Sequence, residues 1–303
     1  MRIAITASTG LIGSALAQSL AADGIDVLRL VRRPAARAGE VSWDPAAAGG
    51  GLDPAALNGV DAVVHLSGAP VARGRWTAAR KQELRASRIG STQHLVAALL
   101  AAPNPPPVLL AASAIGWYGD TGSREVDEDA PAGSGFLADL VRDWEAAAQP
   151  AAGAGIRVVH LRSGVVLSRA GGMLKPLLPL FRLGLGARIG PGTQYLSWIG
   201  IEDHVGACRF LLDSEQLSGP VNLTAPNPVT NAEFTAALAA QVHRPALFRL
   251  PSAPLQAALG ELSGELLGSC RVRPARLEDA GFAFRQPHIG QALAAALHAP
   301  PPR

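Results

Sequence analysis

The sequence lacks any long block of charge of one sign. Charged residues make up 17% of its 303 residues, and the net charge is only +3. No run of Lys and Arg is long enough to form a nucleic-acid tail, and aromatic residues do not alternate with basic ones. No uninterrupted apolar run reaches the length that spans a bilayer. We therefore expect neither a nucleic-acid partner nor a membrane partner.

Cysteine is scarce and histidine does not cluster. Cys208 and Cys270 are far apart and lack metal-type spacing, and the seven histidines are scattered. We expect free, buried thiols in a reducing compartment and no metal site. His65, beside a strand-like run, is interpreted as structural. The chain starts directly on a strand-like run with no secretory signal before it, which predicts a cytoplasmic protein.

The first thirty-four residues carry the clearest pattern. An apolar run at 3–6 is followed by a glycine turn, a helix-like run at 14–23 and a strand-like run at 25–31. This order is that of the first βαβ unit of a dinucleotide-binding fold. The N-terminus of such a helix offers N–H groups and partial positive charge to a pyrophosphate. The predicted cofactor contacts are Ala7, which replaces the first glycine of the pattern, Ser8, Thr9, Gly10, Leu11, Ile12 and Gly13.

The end of the second strand indicates which nucleotide is bound. NAD-binding sites place Asp or Glu there, about 20 residues beyond the glycines, to hold the ribose hydroxyls. This chain has Arg32 and Arg33 instead. Guanidinium groups suit a 2′-phosphate, so the pattern predicts NADP(H) as the cofactor. The alternative is that both arginines are solvated in a loop.

A third strand is predicted at residues 60–66, where the sequence is almost continuously apolar. Such a run is typical of a parallel strand that is covered on both faces. It ends in Ser67 and Gly68. Because loops at the C-terminal ends of parallel strands line the cofactor crevice, these two residues are candidate backbone contacts.

The helix predicted from about residue 77 to 102 carries a dense run of charge. Thr77 is a plausible N-cap for it. A charged helix is usually solvated on that face. Glu83 and Arg88 nevertheless lie near the start of a helix that leaves a crevice loop, so these two side chains are also candidates for contacts with the cofactor ribose and phosphate.

A fourth buried strand is predicted at 108–112, and it ends in Ser113 with Tyr118 in the following turn. A hydroxyl at the end of a central strand is well placed to polarise a carbonyl substrate. Ser113 and Tyr118 are therefore the catalytic candidates. A structural role for Tyr118, in the core or at its rim, is the alternative.

Together these elements predict an α/β protein with a Rossmann-type, doubly wound parallel sheet and a smaller C-terminal α/β substrate lobe. The dinucleotide-binding domain is predicted at 1–168, with 199–223 returning to it. The substrate lobe comprises 169–198 and 224–303. Four residues are predicted to line its substrate side: Arg182, Gln194, Tyr195 and Trp198.

The motifs resemble those of the extended short-chain dehydrogenase/reductase superfamily, in particular its uncharacterised epimerase-like group, sometimes labelled as NAD-dependent epimerases or cell-division inhibitors. The matching segments are 8–13, 66–70, 75–77, 80–88, 113–119, 143–147, 162–167, 181–186 and 230–234. The resemblance implies NADP(H) binding by the turn and the arginine pair, by Leu66 and Ser67, and near Glu83, Arg88 and Val166. It also implies a possible homodimer through helices at 77–102 and 136–152.

One departure from the superfamily bears on activity. Members of the superfamily use a Tyr as acid/base and a Lys four residues later, at the start of the helix after an acidic loop. Residues 135–142 of this chain contain neither Tyr nor Lys.

Two hypotheses for the function follow. The first is an NADP(H)-dependent oxidoreductase or epimerase that acts on the carbonyl or hydroxyl of an unknown small molecule. The second is an NADP(H)-binding sensor or regulator without dehydrogenase activity.

Overall fold

The computed structural model describes residues 1–47 and 50–298. The strands are β1 Arg2–Thr6, β2 Asp26–Val31, β3 Glu40–Ser42, β4 Ala62–His65, β5 Val108–Ala114, β6 Glu125–Val126, β7 Arg157–Ser163, β8 Val165–Leu167, β9 Ala187–Ile189, β10 Tyr195–Leu196, β11 Trp198–Gly200, β12 Gly219–Leu223, β13 Val229–Thr230, β14 Phe248–Leu250 and β15 Arg271–Val272. The helices are α1 Leu11–Ala22, α2 Ala78–Arg85, α3 Ser91–Ala101, α4 Phe136–Ala146, α5 Gln149–Gly153, α6 Leu174–Arg182, α7 Ile201–Asp213, α8 Asn231–Gln241, α9 Ser252–Leu259, α10 Leu262–Leu267, α11 Ala275–Asp279 and α12 Ile289–His298.

A seven-stranded parallel sheet forms the centre, in the order β12-β7-β5-β4-β1-β2-β3. The chain winds outward from β1 in both directions, so the strand order reverses between β1 and β4. A crevice at the C-terminal ends of these strands is the expected ligand site of such a sheet. The predicted Rossmann-type fold is confirmed.

Both faces of the sheet are buried, which explains its nearly continuous apolar strands. Along β1, Ile3 and Ile5 pack in one cluster with side chains of α1 and α7. Ala4, which points to the other face, packs with side chains of α3 and α5. Each large apolar side chain buried in this way contributes roughly 1.5–3 kcal/mol to stability.

The C-terminal part has a core of its own, formed by α6, α8 and α12 around Trp198. The strand β12 returns to the edge of the main sheet, where Val221 pairs with Leu161. The exact limits of the two predicted lobes stay a prediction, and residues 299–303 lie outside the described residues. Within the described part of the chain, no helix is both long enough and apolar enough to cross a membrane.

His65 is a buried structural residue of β4. Its Nδ1 lies 3.0 Å from Thr6 Oγ1 and its Nε2 lies 3.1 Å from Thr92 Oγ1. Burial lowers the pKa of His65 to about 3 and that of His204, also buried, to about 4. Both rings are therefore neutral in the native state at pH 7.

We expect these two histidines to make the protein less stable in acid. Below about pH 6.5 these histidines are protonated in the unfolded chain but stay neutral in the native protein. The free energy of unfolding therefore falls as the pH decreases, down to about pH 4 for His204 and about pH 3 for His65. The slope approaches about 1.4 kcal/mol per pH unit for each histidine. Urea unfolding between pH 7 and pH 5 measures it, and His65→Gln should remove the contribution of that ring, while His204 and His160, whose pKa burial also lowers, keep theirs. An equal slope in the variant would contradict the assignment.

Candidate active site

The predicted glycine turn lies where β1 ends. Ala7 has a φ of +49°, the left-handed conformation that glycine adopts without strain. The Gly10 N–H donates to the Ala7 carbonyl oxygen at 2.8 Å, and α1 begins at the next residue. The N-terminus of α1 therefore points into the crevice, and the turn takes the form of the dinucleotide motif although its first glycine is replaced.

Replacing Ala7 by glycine should stabilise the protein. The left-handed conformation costs an alanine about 1–2 kcal/mol, whereas the greater freedom of glycine in the unfolded chain costs roughly 0.5–1 kcal/mol. We expect the free energy of unfolding to rise by up to about 1 kcal/mol in Ala7→Gly, as measured by urea unfolding. A decrease would show that the backbone at residue 7 is unstrained.

The crevice is a cavity of about 370 Å³ with a largely apolar wall. It brings together most of the sequence-predicted cofactor residues and one catalytic candidate. These are Ala7, Gly10, Leu11, Ile12, Gly13, Leu66, Ser67, Gly68, Arg88 and Ser113. Segments separated by up to 106 residues in the chain thus meet at one edge of the sheet, because the C-terminal ends of β1, β4 and β5 are neighbours there.

Arg88 is the cation of this crevice. Its side chain turns inward from a π-helical segment, Ala86–Gly90, which joins α2 to α3, and only 9% of the residue is exposed. The guanidinium lies over the Trp144 ring, 5.1 Å from its centroid, and against Gly68. Burial, and then the nearby charge of Arg80, lowers the pKa of Arg88 to about 10. No carboxylate of the described residues lies within ion-pair distance of it.

The two arginines after β2 differ in their surroundings. Arg33 donates to both carboxylate oxygens of Glu40, at 2.8 and 2.6 Å. These hydrogen bonds raise the pKa of Arg33 and lower the pKa of Glu40 to about 2. Arg32 is exposed and makes no side-chain hydrogen bond or ion pair with the described residues. Of the predicted pair, Arg33 is therefore held by Glu40, whereas Arg32 has no partner among the described residues.

Four other predicted cofactor residues, Ser8, Thr9, Glu83 and Val166, lie outside the cavity lining. Ser8 is buried in the turn, and its hydroxyl has no hydrogen-bond partner among the described residues. Glu83 is exposed on α2 and forms an ion pair with Arg80 at 2.5 Å. Val166 lies on β8, pairs with Ile199 of β11 and packs against the sheet core. Thr9 is exposed at the turn, and roles for these residues in cofactor binding remain predictions.

Ser113 lines the crevice, but its proton is already engaged. Its hydroxyl donates to Glu145 Oε1 at 2.6 Å. The same carboxylate accepts from Arg162 Nε at 2.8 Å and from Arg162 Nη2 at 3.0 Å, and all three residues are buried. In this arrangement Ser113 presents an acceptor oxygen to the crevice rather than the donor that the sequence predicts.

Glu145 and Arg162 are the residues that sequence reasoning missed. The pairing of β5 with β7 places Ser113 beside Arg162. Glu145 lies on α4 and contacts both residues. An arginine at the end of an apolar strand is a signal for a buried ion pair, because a buried charge requires a partner. The sequence does not say which of its carboxylates that partner is.

Tyr118 is a core residue, which corrects its prediction as a catalytic candidate and agrees with the structural alternative. Its hydroxyl donates to Asn222 Oδ1 at 2.7 Å and accepts from Arg162 Nη1 at 3.1 Å. Desolvation raises the pKa of Tyr118 to about 12 despite the nearby Arg162 charge. The residue lies outside the crevice lining, so it holds the Arg162 network together and does not face a substrate there.

The wall opposite Ser113 is apolar. Leu137 and Val141, four residues apart on α4, both line the crevice. Residues four apart share one face of a helix. The superfamily's Tyr and Lys are also four residues apart on this helix. In this chain, side chains with that spacing are aliphatic and form an apolar part of the crevice wall.

The predicted substrate residues do not line this cavity. Trp198 is fully buried in the C-terminal core and donates from Nε1 to the Asn227 carbonyl at 3.1 Å, so its prediction as a substrate contact is wrong. Gln194 is buried and donates to the Ile189 carbonyl at 3.1 Å. Tyr195 lies under the Arg271 guanidinium, 4.8 Å from it. Arg182 is exposed at the end of α6.

Comparisons with known proteins agree with this geometry. The model of the NAD dependent epimerase/dehydratase family matches residues 3–223, and a domain of unknown function matches residues 250–296. An epimerase family protein of Mycobacterium bovis is 52% identical over 299 residues, which are 98% of each chain. The human epimerase family protein SDR39U1 is 38% identical over 297 residues, which are 97% of this chain and 98% of the human one.

A crystal structure of human SDR39U1 (isoform 2) with NADPH has a TM-score of 0.89 to this chain. The two chains are 37% identical, and the match covers 98% of this chain and 100% of the human one. The family model spans more than half of the chain, and the relatives match it nearly from end to end. These findings confirm the resemblance that the sequence motifs carry: the chain belongs to the NAD dependent epimerase/dehydratase family.

Proposed function

We propose that this protein binds NADP(H) in the crevice at the C-terminal ends of β1 and β4. The observation that carries the proposal is Arg88, a buried cation that has no carboxylate partner within residues 1–47 and 50–298 and that faces the cavity beside the N-terminus of α1. Leaving a buried charge unpaired costs several kcal/mol, so an anionic ligand is the expected complement. The crystal structure of the human relative with NADPH supports this choice of anion.

The residues of the turn fit a pyrophosphate. The first residues of α1, from Leu11 onward, supply backbone N–H groups and the positive end of the helix dipole. The hydroxyl of Ser8, which is buried without a partner among the described residues, is available as a further donor. Calorimetric titration with NADPH tests the proposal, and absence of binding would overturn it.

Arg32 is the residue we assign to the 2′-phosphate. Because Arg33 is held by Glu40, Arg32→Ala should weaken NADPH binding much more than Arg33→Ala does. Loss of one charge-assisted contact, about 1.5–3 kcal/mol, corresponds to roughly a 10- to 150-fold rise in the Kd for NADPH. The Kd for NADH, which has no 2′-phosphate, should stay the same. Equal losses for both nucleotides would contradict the assignment.

The chemistry that we propose is that of an oxidoreductase or epimerase acting on a small carbonyl or hydroxyl compound. Bound NADP(H) would supply hydride exchange. Ser113, held by Glu145, would accept a hydrogen bond from a substrate hydroxyl at the crevice wall. Leu137 and Val141 would keep water away from the reacting atoms. Oxidation of NADPH with a carbonyl substrate, or reduction of NADP⁺ with the corresponding alcohol, tests this step.

A sensor or regulator of NADP(H) is the second candidate. It is favoured by the aliphatic wall at Leu137 and Val141 and by the proton of Ser113, which is already donated to Glu145. Tight NADPH binding without oxidation across a wide panel of aldehydes, ketones and alcohols would support it. Turnover with any one of these compounds would favour the enzyme. For either function we propose a cytoplasmic location.

A further inference from the structure

One surface of the C-terminal half exposes large apolar side chains. We call it the apolar patch and define it by Leu180, Leu183, Leu185, Leu247 and Phe248. Leu183 is 73% exposed, Leu185 51%, Leu247 84% and Phe248 54%. Contiguous exposed apolar surface of this kind marks an interaction site in a soluble protein.

The pairing of two short strands brings these residues together. In the parallel pair of β9 and β14, Phe248 lies opposite Ala187. Leu185 lies two residues before β9, and Leu247 lies immediately before β14. Because the strands are parallel, these two leucines are at the same end of the pair. Leu180 lies in the last turn of α6, and Leu183 follows the end of that helix, in the short connection to β9. Two segments more than sixty residues apart in sequence thus form one surface.

The two segments that carry the apolar patch have charge of one sign. Lys175, Arg182, Arg244 and Arg249 are exposed on the segments that carry the patch. Residues 169–201 contain no Asp or Glu, and neither do residues 234–260. Within the described residues, none of these four cations forms an ion pair with a carboxylate. The two segments that carry the patch therefore present a positive field.

This field argues against a second copy of the chain as the occupant. Two copies joined through the same face would place like charges opposite each other at a cost. The shape argues against a flat protein partner, because Leu183 and Leu247 protrude and would each need a matching pocket. A bilayer accommodates protruding leucines without such pockets, while arginines beside them reach anionic headgroups.

We propose that the apolar patch docks this protein on the surface of an anionic membrane. The leucines and Phe248 would enter the boundary between headgroups and acyl chains, and the four cations would contact lipid phosphates. Docking of this kind needs no spanning helix. It departs from the expectation of no membrane partner, because the sequence shows neither which leucines are exposed nor that two distant segments meet.

Sedimentation with vesicles tests the proposal. We expect at least about tenfold more protein on vesicles of phosphatidylcholine mixed with phosphatidylglycerol than on phosphatidylcholine alone at low salt, since basic residues near the surface are attracted to anionic headgroups. Raising the salt concentration should weaken binding. The triple variant Leu183→Ser, Leu247→Ser, Phe248→Ser should lose binding, and all three side chains are exposed, so its fold should be retained.

The matched control is Leu100→Ser, which replaces a leucine that is 41% exposed on α3, away from the patch. It should bind vesicles like the unaltered protein. Arg182→Gln with Arg244→Gln and Arg249→Gln should remove the preference for anionic lipid. No binding to either vesicle, or an equal loss in the control, overturns the proposal. So does light scattering that shows a dimer converted to a monomer by the triple variant, because the patch would then be a subunit interface.

Discussion

Replacing Gly13 by alanine should both destabilise the protein and abolish nucleotide binding. A Cβ on this residue would lie 2.3 Å from the Ala7 carbonyl oxygen and 3.0 Å from Ser8 Cα. Both atoms are backbone and cannot rotate away, so α1 must move off the turn. We expect the free energy of unfolding to fall by about 3 kcal/mol, at the upper end for overpacked sites. Urea unfolding measures the first effect and calorimetry with NADPH the second.

Gly90→Ala is the matched control. Gly90 lies in the continuous helical run between α2 and α3, and a Cβ there meets no atom within 4 Å. Alanine is a better helix former than glycine by roughly 0.8–1 kcal/mol, so this variant should be as stable as the original or more so. A Gly13→Ala variant that unfolds and binds NADPH like the original would show that the turn does not require close packing of helix on strand.

Replacing Arg88 by methionine should weaken nucleotide binding without weakening the free protein. The guanidinium is buried and has no carboxylate partner among the described residues, so the fold bears its desolvation cost without the gain of an ion pair. We expect the Kd to rise roughly 10- to 150-fold for NADPH and NADH alike, which corresponds to the loss of one charged hydrogen bond of about 1.5–3 kcal/mol. The free energy of unfolding without nucleotide should be unchanged or higher.

The control for this variant is Arg162→Met. Arg162 is also buried but forms two hydrogen bonds with Glu145, so its removal leaves a buried carboxylate without its cation. Such a loss typically costs about 3–5 kcal/mol of stability. Comparing the two variants separates a binding cation from a structural one. If Arg88→Met is destabilised as much as Arg162→Met, then Arg88 is held by the fold and is not the anion ligand proposed.

The sequence alone determined the elements that rest on local pattern. The first βαβ unit, the arginines after β2 and the strands that end at Ser67 and Ser113 follow from apolar runs and turn residues, which act within a few positions of each other. Because parallel strands must end at a common edge, the crevice and most of its lining could also be predicted. The missing Tyr and Lys were visible because that pair requires a fixed spacing on one helix.

Only the tertiary structure decided which polar groups are already engaged. Whether Arg33 is free depends on Glu40 at the start of the neighbouring strand β3, and whether Ser113 can donate depends on Glu145, which lies on helix α4. The core position of Trp198 was missed, and that of Tyr118 stayed one of two alternatives, for the same reason: burial is set by what packs on a residue from elsewhere. Hydrogen bonds and ion pairs act over about 3 Å in space, and a sequence pattern does not record which distant residues come that close.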